Sequence, residues 1–185
     1  MTRWVMRTAS NEVTGRPGGV REWSAGADLP GSLRGRGRNG DFRAEALPPA
    51  LAGADAVALQ PIFSGHRPLR GKRVKRTLLL RVRAGTPEDV VARFEAELAA
   101  MPDLIRTIHS WALSRADPAI PGASTMWTHV FEQEFADLDG LTGEYLLHPY
   151  HWTCVDRWFD GENPASIVEP GPAHLIRWAP GEVLR

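Results

Sequence analysis

The chain has 185 residues, 43% of them hydrophobic, and its 22 Lys and Arg balance 22 Asp and Glu. That suits one or two small globular domains. No apolar run reaches the length needed to cross a bilayer, and no apolar stretch follows the basic start MTRWVMRTAS, so neither a membrane span nor a signal peptide is expected. The single cysteine, Cys154, excludes an internal disulfide and points to a reducing, cytoplasmic setting.

The neutral total hides an asymmetry. Residues 1–76 hold 14 Lys and Arg against 6 Asp and Glu, whereas residues 77–185 hold 8 against 16. The halves can attract each other, or the basic half can meet a phosphate-bearing partner. The excess sits in LRGRGRNG (33–40) and HRPLRGKRVKR (66–76), which read as solvated loops. No aromatic residues interleave there to stack bases, so nucleic acid is not an expected partner. GRGRNG (35–40) spells G-x-G-x-x-G, but DFRAEALPP follows where a dinucleotide site needs a helix, so that reading is rejected.

The first half offers strands around RWVMRTA and in VREWSAGADLPGS (20–32), GDFRAEAL and AVALQPI (56–62), with little helix in NEVTGRPGG between the first two. VREWSAGADLPGS can be laid over IHSWALSRADPAI (108–120), with Trp23 on Trp111 at an offset of 88 residues. The chain therefore divides into a degenerate, mostly stranded copy over 1–70 and a fuller unit over 71–185.

The second unit is easier to read. VKRTLLLRVR (74–83) suits a strand covered on both faces, with Arg76, Leu78, Leu80 and Val82 on one side. Thr86 can cap a helix begun by Pro87, Glu88 and Asp89. Val91, Phe94, Leu98 and Met101 give it an apolar face, and Pro102 should end it. IRTIHSWALS (105–114) reads as a strand and ADPAIPGAS (116–124) as a loop. In MWTHVFEQEF (126–135), Trp127, His129, Phe131 and Gln133 share one strand face. A weak helix follows in ADLDGLTGEYLL, and the chain should restart at Pro149, aligning His151, Val155 and Trp158. AHLIRW (173–178) closes the pattern as a strand. The order gives an α+β half-barrel whose antiparallel sheet has one bare face, and that face needs a partner. Trp111, Trp127, Trp152 and Trp158 read as core aromatics, as does the small Cys154. The histidines lack carboxylates at metal-motif spacing, so no metal is expected.

VKRTLLLRV, the helix after it, THVFEQEF and above all YLLHPYH resemble the stress-responsive dimeric α/β-barrel (Dabb) family over residues 74–178. The resemblance implies a ferredoxin-like fold whose bare sheet faces meet in an eight-stranded barrel. Here the first half of the chain should supply the second sheet as an internal pseudo-dimer, with a homodimer as the other arrangement. Plant polyketide cyclases of this family close a tetraketide by aldol condensation, and a plant hydroxynitrile lyase shares the fold. Their pattern implies Tyr145 and His151 as catalytic acid and base and His129 as a pocket residue, and Arg76, Trp127 and Phe131 are expected to line the substrate pocket with it. Arg76 stands where the family pattern has a histidine. The implied function is cofactor-independent acid/base chemistry on a hydrophobic, polyketide-like carbonyl substrate. The alternative is a non-catalytic small-molecule- or protein-binding barrel.

Overall fold

A computed structural model describes residues 1–9, 13 and 15–184; part of NEVTGRPGG, read as lacking a helix, lies outside the described residues. The strands are β1 (Thr2–Thr8), β2 (Arg21–Ala27), β3 (Arg38–Ala44), β4 (Asp55–Gly65), β5 (Arg73–Leu80), β6 (Trp111–Ala116), β7 (His129–Phe135) and β8 (Ala173–Ala179). One α-helix, α1 (Glu88–Leu104), lies between β5 and β6. Wide π-type turns follow at Gly140–Tyr145 and His151–Val155.

All eight strands form one antiparallel sheet in the order β2-β3-β1-β4-β6-β7-β5-β8. Within each half the order is the same: second, third, first, fourth. This is the ferredoxin-like arrangement written twice, and the expected internal pairing of two half-barrels is present. β4 joins β6 across one seam, where the register shifts between Pro61 and Phe63 because proline cannot donate to the ladder. At the other seam the segment after β2 reaches β8. Leu29 N donates to Ile176 O at 2.8 Å, and Leu33 and His174 exchange backbone bonds at 2.8 and 2.9 Å. The sheet thus nearly closes into a barrel.

Alternation along β5 divides its side chains between two environments. Arg76, Leu78 and Leu80 face α1 and the helical turns, together with Phe131 and Phe135 of β7. Lys75, Thr77 and Leu79 face the barrel lumen. The lumen holds a buried ionic cluster as well as apolar packing. Arg3 of β1 meets Asp41 at 2.7 Å and Glu132 at 2.6 Å. Lys75 meets Glu132 at 2.6 Å, and Arg177 meets Asp41 at 2.6 Å. Burial alone would raise the Asp41 carboxyl, but Lys75, Arg177 and Arg3 outweigh it and hold it well below the usual carboxylate range.

Several element ends differ from expectation. Thr86 does not cap α1; its hydroxyl donates back to Arg83 O at 2.7 Å, and Pro87 holds the cap position. Pro102 sits inside the last turn, buried in the core, and the helix runs on to Leu104. One lost backbone bond near a helix end is tolerated when the ring packs. β6 begins at Trp111, because the chain from 105 to 110 turns and drops Ile105 and Ile108 into the core.

Candidate functional site

The helical layer over β5, β7 and β8 encloses a cavity of about 280 Å³. Its walls include Arg76, Leu78, Phe131, Tyr145, His151 and His174, with Leu98 and Met101 of α1 above and Pro170, Gly171 and Pro172 at one side. The cavity lies between sheet and helices, on the face opposite the lumen. Strand parity sends Arg76 and Phe131 toward α1 and away from the lumen.

Local sequence explains how His151 is aimed. The helical path breaks at His148, whose carbonyl accepts from His151 N at 3.0 Å and whose Nδ1 accepts from Tyr150 N at 3.2 Å. Pro149 fits the first position of the restarted segment, where its missing N–H is not needed. His151 then reaches the cavity one turn on, its ring edge-on to Tyr145 at 4.8 Å between centroids. His151 Nδ1 is buried 3.3 Å from Asp156 Oδ1, but off hydrogen-bond alignment, so that nitrogen has no hydrogen-bond partner among the described residues.

Tyr145 is buried against Phe135, with the Arg76 guanidinium 5.1 Å over its ring. Burial pushes its phenol up, while Arg76 and a hydrogen bond with Gln133 pull the other way and lose. The hydroxyl therefore stays protonated at neutral pH and can donate. Arg76 is held from both sides, donating to Gln133 Oε1 at 2.6 Å and lying 3.2 Å from His174 Nδ1. Burial, then Arg76 and then His151, bring His174 down to about 3. It is neutral, so its Nδ1 can accept from Arg76. Among the described residues, no three His, Cys, Asp or Glu side chains are grouped to hold a metal ion.

Of the residues singled out from sequence, Arg76, Phe131, Tyr145 and His151 come together. His129 and Trp127 do not. His129 shares the face of Phe131, but its Nε2 lies 3.0 Å from Glu95 of α1 and its Nδ1 2.9 Å from Thr128 Oγ1, so the ring is consumed in packing. Trp127 precedes β7 and points away, donating to Asp55 Oδ2 at 3.1 Å. Trp152, expected in the core, is 61% exposed, and Cys154 is only half-buried. His174 was missed. Its signal was strand parity: in AHLIRW it shares a face with Ile176 and stands opposite Leu78.

The model of the family described as "Stress responsive A/B Barrel Domain" matches residues 74–167, from β5 through the helical layer to the loop before β8. The chain belongs to this family. This A/B barrel chain also resembles solved structures along its whole length. A putative monooxygenase from Lactobacillus acidophilus is 11% identical, with a TM-score of 0.55 over 100% of this chain and 98% of that one. An anthrone oxidase-like protein is 8% identical, with a TM-score of 0.56 over 99% and 94%. A putative monooxygenase from Fusobacterium nucleatum is 7% identical, with a TM-score of 0.52 over 100% and 91%. At such identities the likeness is one of fold. No curated protein matches the A/B barrel chain.

Proposed function

We propose that the cavity binds a small, largely apolar carbonyl compound and removes a proton from the carbon beside its carbonyl. His151 takes the proton, and Tyr145 Oη and the Arg76 guanidinium stabilise the enolate oxygen that forms. The carbanion then adds to a second carbonyl of the same molecule. A carbon–carbon bond forms, and the proton returns to the new alkoxide, giving an aldol-type cyclisation. The observation that carries this reading is the convergence of Tyr145, His151 and Arg76 on one cavity with mostly apolar walls.

The test uses acetophenone, whose methyl protons exchange slowly by themselves. In D₂O the protein should accelerate deuterium incorporation, followed by NMR. His151→Ala should lower that rate roughly 10²–10⁴-fold, and Tyr145→Phe roughly 10²–10³-fold. Oxygen uptake is followed in parallel, because three neighbours of the same fold carry oxidase or monooxygenase names. A carbanion intercepted by O₂ would be the oxygenating version of the same first step. A second reading, binding without catalysis, draws support from the burial of Tyr145 beneath its packing partners. It predicts saturable binding with no exchange above background.

A further inference from the structure

A second recess, of about 340 Å³, lies on the far side of the Pro170–Gly171–Pro172 strap from the acid/base cavity. Arg7, Arg34 and Arg81 line it, over the Trp127 ring and Met126. Two of these cations are compensated: Arg7 Nε pairs with Asp55 at 2.8 Å, and Arg81 pairs with Glu169. Arg34 has no ion pair among the described residues.

Arg34 is exposed, but its backbone is held. Arg34 adopts φ of 56°, a left-handed backbone that residues other than glycine rarely take. The buried Arg7 guanidinium holds that conformation by donating to the Arg34 carbonyl, and neighbouring Leu33 is bonded to His174 on β8. The Arg34 guanidinium lies directly on Gly171, where a Cβ would come within 2.5 Å of it. Gly171 itself has φ of 89° and no side chain, so the strap makes room for this cation. On the other side, Arg7 sits 5.0 Å over the Trp127 ring.

From this we infer an anion-binding site that takes a phosphate or carboxylate carried on an aromatic or apolar body. The anion meets Arg34, and the body lies on Met126 and the two prolines, beside the small exposed part of Trp127. Arginine forks suit such oxyanions. The inference is independent of the acid/base reading of the inner cavity.

Phenyl phosphate and phenylacetate are the probes and benzyl alcohol the neutral control, titrated by calorimetry. The Trp127 indole N–H resonance, assigned by its loss in Trp127→Phe, serves as a local reporter. At least one anion should bind saturably and shift that resonance, roughly tenfold or more tighter than benzyl alcohol. Arg34→Gln should weaken it by a similar factor. Arg34→Gly, which relaxes the left-handed backbone and protects the fold, should do the same. Arg36→Gln and Arg76→Gln should leave it unchanged. Equal weakening by Arg36→Gln would mean diffuse attraction to basic surface and would overturn the site. Loss in Arg76→Gln with retention in Arg34→Gln would move the anion to the inner cavity. Absence of saturable binding by both anions would also refute the proposal.

Discussion

His174 shows how a single side chain sets both the electrostatics of the cavity and the acid tolerance of the protein. It sits beside the Arg76 guanidinium and within the influence of His151, in a place where burial already disfavours charge. Neutral His174 can accept a bond from Arg76, whereas a protonated ring would repel it. The folded value of about 3 lies far below the ordinary histidine value near 6.5. The unfolded chain therefore takes up this proton first. Stability should be fully present above about pH 6.5 and should fall as pH drops toward 3, by up to about 1.4 kcal/mol per pH unit for each proton bound only by the unfolded state. His129 and His109 are also lowered, His129 mainly by burial and His109 by burial and then Arg67 and Arg73, so they act in the same direction. The lowered carboxylates Asp55, Glu95 and Glu97 add to the loss only in the acid part of this window, once pH falls toward their own unfolded values. Urea denaturation at pH 7 and pH 5 should show the loss, and His174→Gln should flatten the slope between them. An unchanged slope in that variant would show that the ring is not buried neutral.

Among the elements, the helical layer from 138 to 158 has the least intrinsic helix stability, although it carries both Tyr145 and His151. Its π-type turns hold more residues per turn than an α-helix, a geometry often found where a side chain must be aimed. Gly143 lies in the first of these turns, and an added Cβ would meet nothing within 4 Å. Its backbone is not in the left-handed region, so Gly143→Ala should raise stability by about 0.5–1 kcal/mol through the unfolded chain and helix propensity. A higher midpoint in thermal unfolding would confirm it, while a lower one would mean that the turn depends on glycine. The break at Pro149 was legible because proline excludes a continuous helix, and β5, α1, β7 and β8 were legible from their periodicity. The ends of α1 and β6 were not. Thr86 had a backbone carbonyl at hand, and Ile105 and Ile108 pack better as core plugs than as strand residues. Parity correctly put His129 on the face of Phe131, but it could not reveal that Glu95, 34 residues away in sequence, occupies the imidazole.

For the whole molecule, the decisive feature is the lumen, where charge selects which sheet faces which. The need for a partner sheet followed from the bare face, and the offset-88 likeness of Trp23 to Trp111 pointed to the first half as its source. The ionic filling was not legible, because each charged residue of β5 and β7 reads locally as a solvent-facing position. Arg3 and Asp41 come from the first half; Lys75, Glu132 and Arg177 come from the second. Asp41 carries the complementarity, lying 2.6 Å from Arg177 and 3.5 Å from Lys75. Suppose instead that two second halves met face to face, as in a homodimer built through these sheets. Each Arg177 would lose Asp41 and would meet a surface that repeats Lys75, Glu132 and Arg177, two cations to one carboxylate, so one cation on each side would lack a partner. A buried charge stripped of its partner costs roughly 3–5 kcal/mol, and the symmetric arrangement would incur that cost twice. Closure within one chain avoids it and also satisfies the edge of β8 through Leu29 and Leu33. The protein should therefore be a monomer, with a mass by light scattering near the single-chain 20.4 kDa across a tenfold range of concentration. A mass of twice that value would refute the prediction. The place to look for the contact would then be the exposed Leu146, Leu147 and Trp152 on the helical layer, since the lumen is already filled.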